Sequence, residues 1–421
     1  MQRLYTCLLY LIQPLVWLRL LWRGRKAPAY RKRWLERYGF CHGKVKAHGI
    51  LIHSVSVGET IAAIPLIKAL QHRYPHLPIT VTTMTPTGSQ QVVKSLGNTV
   101  SHVYLPYDLP GSIRRFLKQL QPKLVIIMET ELWPNLITAL YQRHIPLVIA
   151  NARLSERSAK RYAKLGNAIR RLMPQITHIA AQNQFDAQRF IDLGLPQDHI
   201  TVTGSIKFDI HLSEQQQQSI ADLKAAWLSQ RPVWIAASTH HGEDDIILMA
   251  HKHLLKNYPD LLLILVPRHP ERFASVEKLI NDYGLTYQLR SENHVPTPQT
   301  QIILGNTMGE LIVLYGMADI AFVGGSLVER GGHNPLEPAL HHLPIIMGEH
   351  TFNFNVICEQ LVQANGLWVT QATKDDLSQK ISQLLQDKIQ RKRVGENAFL
   401  VLKHNQGALD RLLTVIDNPL S

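Results

Sequence analysis

The sequence predicts an α/β chain of two Rossmann-like domains facing an interdomain cleft, preceded by a hydrophobic membrane-anchor helix. Three observations carry this reading. The chain has 421 residues, 45% of them hydrophobic, and single cores stop growing near roughly 250–300 residues, so two cores are expected. From about residue 49 onward, short apolar runs alternate with helix-length amphipathic stretches, and the alternation occurs as two successive sets. Ahead of them lies an apolar run from Leu4 to Trp22, followed directly by basic residues.

The N-terminal run comes first. About twenty apolar residues can span a bilayer, so residues 1–22 are expected to anchor the chain. Residues 23–48 then form a basic juxtamembrane segment. Its Arg23, Arg25, Lys26, Arg31, Lys32 and Arg33 should stay cytoplasmic and attract anionic headgroups. Residues 1–50 hold eleven Lys/Arg and one acid, Glu36, a net +10 out of the chain's formal +13. The excess charge therefore points to a membrane surface. It argues against nucleic acid, because the remainder lacks an interleaved basic and aromatic stripe. Arg19 and the Gln13-Pro14 pair weaken the span, which keeps an in-plane helix open beside single-pass insertion. A cleaved signal peptide is disfavoured: no small-residue cleavage site follows, and the basic cluster lies on the wrong side. Cys7, Cys41 and Cys358 are too dispersed for a disulfide framework or a zinc site.

Residues 49–210 supply the first set of strands, read in GILIHSVSV, PITVTTMT, HVYLPY, KLVIIME, PLVIAN, HIAAQ and TVTGS. Most are apolar throughout, as strands buried on both faces of a parallel sheet require. Helices are expected to open near Thr60, Thr87, Gly111, Leu132, Ser155 and Asn183. The Gln-rich stretch from about Lys207 to Pro232 reads as a connection. Residues 211–421 form the second domain, with strands in VWIAAS, LLLILVP, QIILG, IAFVGG and PIIMG and only helix from Lys374 onward.

Ligands of doubly wound sheets sit beyond the carboxyl ends of the strands, so residues at those ends matter most. Glu59 follows the first strand where a helix opens, a position that suits capping as well as chemistry and that should keep its carboxylate ionised. Glu129 and Glu131 follow a buried strand, where acids are unexpected as mere surface. Lys207 stands at the domain boundary and could equally belong to an exposed linker. In the second domain, Arg268 and Arg272 follow a strand and suit phosphate or carboxylate, against the plainer possibility of an ion pair with Glu271. Gly305 to Glu310 and Gly324-Gly325-Ser326 are glycine-bearing strand ends where backbone could approach a ligand. In Gly331-Gly332-His333-Asn334-Pro335-Leu336-Glu337, Asn334 and Glu337 fit a capping box around Pro335. The two glycines would let the backbone approach an anion at a helix N-terminus. No dinucleotide fingerprint or P-loop is present. His240-His241 with Glu243, Asp244 and Asp245 is a weak metal candidate.

Several of these stretches together carry a resemblance. HSVSVGE (53–59), METELWPN (128–135), NARLSERS (151–158), VTGSIKFD (202–209), LVPRHPERF (265–273), MGEL (308–311) and FVGGSLVERGGHNPLEPA (322–339) closely resemble the Kdo transferases of Gram-negative bacteria. The likeness runs over essentially the whole chain. It implies a GT-B fold and an inverting, metal-independent glycosyltransferase without cofactor. The donor would be CMP-Kdo, the acceptor a lipid A precursor, and the location the cytoplasmic face of the inner membrane. Carried over by motif, Glu59 looks like the general base, and Glu129 and Lys207 like groups that stabilise the transition state. Pro267, Arg268, Met308, Gly309, Glu310, Asn334, Pro335, Leu336 and Glu337 look like CMP-binding positions. Asn306 departs from the Asp usual there, which puts any charge role at that position in doubt. A GT-B enzyme using a UDP-sugar and a membrane-tethered nucleotide- or nucleic-acid-binding protein are the rival readings.

Overall fold

The computed structural model describes residues 2–41, 43–227 and 231–420, which divide into two compact units, Met1–Asp209 with Gln406–Ser421, and Ile210–Asn405. The first contains β1 (Ile50–His53), β2 (Ile79–Thr83), β3 (Ser101–Tyr104), β4 (Leu124–Met128), β5 (Leu147–Ala152), β6 (His178–Ala181) and β7 (Ile200–Val202). They pair in parallel in the order β3-β2-β1-β4-β5-β6-β7, with Ile50 opposite both Ile79 and Leu124. Every residue of β1, β2, β4 and β5 is buried, which is why these strands read as unbroken apolar runs rather than alternating ones.

The second unit contains β8 (Val233–Thr239), β9 (Leu262–Pro267), β10 (Tyr287–Leu289), β11 (Ile302–Leu304), β12 (Ile320–Val323), β13 (Ile345–Met347) and β14 (Leu367–Val369), in the parallel order β10-β11-β9-β8-β12-β13-β14. β10 and β14 go beyond the five strands expected. Both are three-residue edge strands with exposed or half-buried positions, too short and too mixed to stand out in sequence. The stretch expected as a connection is a helix over Glu214–Trp227.

The chain's end differs from expectation. Helix Ala408–Asp417 belongs to the first unit, not the second, and its Leu412 and Ile416 are wholly buried in a core that includes Ala63, Leu66 and Ile67. Asp209 clamps the point where the chain returns: its two carboxylate oxygens accept the N–H groups of Gly407 and Leu409 at 2.6 and 2.5 Å. The periodicity of this helix is correct in sequence, but an amphipathic face does not say which core it covers.

The N-terminus also departs from a simple span. It forms α1 (Gln2–Leu11) and α2 (Gln13–Lys26), which meet at a 46° bend, and no single helix among the described residues is long and apolar enough to cross a membrane. Pro14 accounts for the bend, because it has no N–H for the preceding turn and its ring crowds that turn's carbonyl. Polar side chains tie the helices to the globular unit. Tyr5 donates to Asp108 at 3.1 Å, Asn135 donates to Thr6 at 3.0 Å, and Tyr38 donates to Gln13 at 2.8 Å. Leu4, Leu8, Leu11, Leu15, Leu18 and Trp22 remain exposed. The basic cluster is divided in the same way. Arg33 pairs with Glu36, and buried Arg37 bonds to the Met84 carbonyl, whereas Arg23, Arg25, Arg31 and Lys32 face solvent.

Two core histidines set an acid limit. Burial pushes His53 down to about 4 and His251 down to about 3. His251 donates from Nε2 to the Gln301 carbonyl and accepts from Trp234 at Nδ1, an arrangement that needs the neutral ring. Unfolded histidine titrates near 6.5, so below that pH the unfolded chain binds protons that the folded chain refuses, and stability falls with pH. At pH 5 each should have lost about 2 kcal/mol relative to neutral pH. Urea midpoints measured from pH 7 to pH 5 should fall, and His53→Gln should flatten the slope whatever it does to the level. An unchanged slope would mean that the ring does not stay neutral in the fold.

Candidate functional site

The strand order reverses between β1 and β4 in the first sheet and between β8 and β12 in the second. A crevice opens at the carboxyl ends there because successive connections leave toward opposite faces. In the first unit Glu59, Glu129 and Glu131 follow the strands on either side of the reversal, and the turn after β7 brings Lys207 into their field.

Glu59 lies in the first turn of α3 (Val57–Arg73), whose N-cap is Ser56. The Ser56 hydroxyl accepts the Glu59 N–H at 3.4 Å. In return the carboxylate accepts the Ser56 hydroxyl at 2.9 Å and the Val55 N–H at 2.7 Å. The capping arrangement is therefore present. It does not exhaust the carboxylate, since two oxygens offer about four acceptor sites. The expected effect of the helix end on ionisation is outweighed. Burial raises the Glu59 pKa, the two hydrogen bonds only partly oppose it, and Glu129 adds to the rise.

Glu129 follows β4 with φ 57°, a left-handed backbone that non-glycine residues rarely adopt. Such a conformation costs about 1–3 kcal/mol and persists only where surrounding structure imposes it. Here the Glu129 N–H is held by the Ala150 carbonyl at 2.9 Å. Glu131 is pushed up to about 7, by burial first and then by Glu59 and Glu129. Lys207 is half-buried in a turn (Ile206–Phe208) rather than in a linker. That turn is fixed by the Ile206 N–H on the Asn151 side chain at 3.2 Å. Burial lowers the Lys207 pKa, Arg153 lowers it further, and Glu129 and Glu59 pull it back. The result is three carboxylates and a lysine within one electrostatic neighbourhood, able to accept a proton near neutral pH and to hold an oxyanion.

In the second unit, Pro267 ends β9 and Arg268 follows, its N–H on the Thr239 carbonyl at 3.0 Å. The two arginines there separate. Arg272 is committed to Asp244 and to the Thr239 carbonyl, not to Glu271, whereas Arg268 is exposed and in no ion pair among the described residues. The expected capping box does not form: helix Leu336–Leu340 has Pro335 at its N-cap without a side-chain cap, and the Asn334 side chain instead accepts the Leu336 N–H at 3.1 Å and donates to Glu337 at 3.2 Å. Arg268 acts electrostatically on half-buried Glu337, so these residues share one locality. Met308 is exposed after β11, and Glu310 accepts from Arg290 at 2.9 Å and from Thr307. Asn306 has a plain structural use: its amide donates to the Ser291 hydroxyl at 2.8 Å and accepts the Ser291 N–H at 2.9 Å.

Gly331 and Gly332 have φ 87° and 71°, backbone that favours glycine, and a Cβ on Gly331 would also collide with Phe352 and Asn353, so both have a structural reason to be glycine beside any ligand. One expectation about backbone is corrected. The Gly324-Gly325-Ser326 turn is not free to meet a ligand through its amides. Glu243, fully buried, accepts the N–H groups of His240 and Gly325 at 2.8 Å, Ser326 at 3.0 Å and Leu327 at 2.9 Å. Sequence reading placed Glu243 in a weak metal cluster. Among the described residues no group of three or more His, Cys, Asp or Glu side chains could hold a metal.

One pairing was missed altogether. His240, just after β8, and His333 lie with their Nε2 atoms 2.8 Å apart, and the His269 ring is 5.4 Å from that of His240. Burial, reinforced by neighbouring cations, pushes His240 down to about 4 and His333 down to about 3. The available signal was that both residues adjoin strand-end segments already singled out.

Two parallel seven-stranded sheets, each with candidate side chains gathered at a strand-order reversal, make a GT-B-like fold. A solved glycosyltransferase of Rickettsia africae is similar in fold, with TM-score 0.56, 16% identity, and 89% of this chain and 99% of that chain covered. Residues 32–210 match the family described as 3-deoxy-D-manno-octulosonic-acid transferase (kdotransferase), and residues 230–401 match glycosyl transferases group 1. A 3-deoxy-D-manno-octulosonic acid transferase of Haemophilus influenzae is 50% identical over 98% of this chain and 97% of its own length. One of Bordetella pertussis is 33% identical over 98% of each. The chain belongs to the 3-deoxy-D-manno-octulosonic acid (Kdo) transferase family.

The Glu243 network gives a direct test. Glu243→Gln keeps the shape but turns an N–H donor toward N–H groups, so at least one buried amide loses its acceptor. Such a loss costs about 1–3 kcal/mol per group. A thermal melt of the variant should shift down by several degrees, and a melt superimposable on the wild type would show that the network is not under load.

Proposed function

We propose that this Kdo transferase takes Kdo from CMP-Kdo and adds it to a hydroxyl of a lipid A precursor, with inversion and without a metal. The observation that carries the reading is the cluster of Glu59, Glu129, Glu131 and Lys207. Glycosyl transfer to an alcohol needs a base for the hydroxyl proton and stabilisation of charge as the glycosidic phosphate leaves. In the proposed mechanism Glu59 takes that proton as the sugar carbon, in an oxocarbenium-like state, bonds to the acceptor oxygen. A carboxylate whose pKa is raised by burial is better matched to this task than an exposed one. Lys207 and Glu129 shape the field around the developing charges. Arg268, with the segments 308–310 and 334–337, receives the CMP moiety.

The exposed apolar face of α1 and α2, bordered by Arg23, Arg25, Arg31 and Lys32, supports attachment in the plane of an anionic membrane, the inner membrane for a lipid A precursor. A bent pair held to the globular unit by Tyr5, Asn135 and Tyr38 suits that arrangement better than a straight span.

Incubation with CMP-Kdo and lipid A precursor, followed by product masses, tests the reaction. Glu59→Gln retains one carbonyl oxygen for the Val55 N–H and should cost about 1 kcal/mol of stability or less, but a general base contributes about 10²–10⁴-fold. At least a hundredfold loss of kcat at near-normal melting temperature is expected. Near-normal turnover would transfer the role to Glu131, the neighbour whose pKa lies nearest neutrality.

Membrane attachment has its own check. Leu11→Glu with Leu15→Glu and Leu18→Glu alters the exposed face and spares the polar ties. Co-sedimentation with phosphatidylglycerol/phosphatidylethanolamine vesicles should fall at least tenfold in high salt, where the basic residues are screened. Full retention would place the attachment elsewhere.

A further inference from the structure

We propose that Asp108 is a positioning residue for the transfer, and that Tyr5 and Thr6 of α1 act through it to hold the segment carrying Glu129 and Glu131. The N-terminal helix then helps to set the reacting groups as well as to hold the enzyme at a membrane. The inference rests on the reading of Glu59, Glu129 and Glu131 as the reacting cluster.

Residues 129–133 join the end of β4 to helix Pro134–Tyr141. Their geometry is demanding, because the left-handed backbone of Glu129 persists only where neighbouring structure imposes it. One fixed point is Thr130, whose hydroxyl donates to the Arg153 carbonyl and accepts the Arg153 N–H at 3.2 Å. The other is the start of the helix. Its first N–H groups have no partner within the helix, and it has no side-chain cap of its own. Asp108, buried in the loop after β3, serves instead. Its carboxylate accepts the Asn135 N–H at 2.8 Å and the Leu136 N–H at 2.7 Å, and its carbonyl accepts the Asn135 side-chain amide at 2.6 Å. Glu131 lies between the two fixed points, and Glu129 just ahead of the first.

The N-terminal helix closes this arrangement from outside. Tyr5 donates at 3.1 Å to Oδ2 of Asp108, the same oxygen that takes the Asn135 N–H. The Thr6 hydroxyl accepts the Asn135 side-chain amide at 3.0 Å and donates to the oxygen of that side chain at 3.2 Å. Both residues are half-buried, on the side of α1 away from exposed Leu4, Leu8 and Leu11. Burial pushes the Asp108 carboxyl up to about 6, while the Asn135 and Leu136 amides and the Tyr5 hydroxyl pull it back. Those donors keep it ionised at neutral pH. Anchoring needs only the leucine face. Two polar side chains aimed from the opposite face at the cap of helix Pro134–Tyr141 are surplus to that role, and they fix what the cap holds. The proposed acceptor is a lipid, so the helix lying in its plane also sets the carboxylates that meet it.

The experiment uses the full-length protein with acceptor in detergent micelles and with acceptor in phosphatidylglycerol/phosphatidylethanolamine vesicles. Displacing reacting groups by about 1 Å costs up to about a hundredfold in rate, so partial loosening should read as about tenfold. For Tyr5→Phe with Thr6→Val, kcat at saturating substrates should fall by that amount in micelles and vesicles alike. KM for CMP-Kdo and co-sedimentation with vesicles should stay near wild type, since the donor positions and the exposed leucines are untouched. Tyr5→Phe with Thr6→Ser, which returns a hydroxyl to Asn135, should recover part of kcat. Hydrogen exchange should quicken in residues 129–137 and stay unchanged in residues 50–62. Asp108→Asn, which turns an amide N–H toward backbone N–H groups, should exceed both effects. Should it not fold, the Tyr5 and Thr6 variant carries the test. Unchanged kcat in that variant overturns the proposal. So does a loss confined to vesicles, which would leave α1 an anchor alone, and so does exchange that quickens uniformly through the first unit. Near-normal turnover in both Glu59→Gln and Glu131→Gln would instead overturn the reading of the cluster, while exchange in residues 129–137 would still report whether Asp108 and α1 hold that segment.

Discussion

The pairing of β1 with β4, and of β8 with β12, is the constraint on which the rest depends. A parallel strand buried on both faces has no side chain to offer to chemistry, so function is confined to the residues that follow its carboxyl end. Where the strand order reverses, those residues are not covered by the next connection. In the first unit this places the turn into α3 beside the end of β4, and with it Glu59 beside Glu129 and Glu131. In the second it places His240 beside the turn after β12. The same rule, applied to two unrelated stretches of sequence, yields an anionic neighbourhood in one unit and a cationic one in the other.

That division of charge suits a transfer between an alcohol and an anionic donor. Carboxylates packed together raise one another's pKa, and burial raises it further, so the first unit holds groups able to take a proton near neutral pH. In the second unit the reverse holds: burial first, and then neighbouring cations, keep the His240 and His333 rings neutral, and two of the nearby acids are used in structure. Asp244 neutralises Arg272, and Glu243 serves backbone amides, which leaves Arg268 and Arg330 to act outward.

Structural and chemical uses of one residue are not exclusive here. Glu59 caps α3 and remains a carboxylate with free acceptor capacity at the end of β1. Asn334 and Glu337 complete a turn and also lie in the field of Arg268. Arg33, by contrast, belongs to a basic cluster in sequence but is half-buried against the first unit in space, where Glu36 holds it.

Sequence by itself determined the α/β class, the twelve strands long or apolar enough to register, and the position of the candidate residues at strand ends. These are local properties, written in periodicity and in runs of Val, Ile and Leu. Tertiary structure alone decided what each strand end meets. It returned helix Ala408–Asp417 to the first unit, because an apolar helix face is compatible with any core of the right shape. It bound the N-terminal run through Tyr5 to Asp108, a partner 103 residues away. It joined His240 to His333 across 93 residues, and gave Glu243 its amides on the turn after β12. No sequence pattern records such pairings, since they depend on which strands lie side by side, and strand order is set by the packing of the whole sheet.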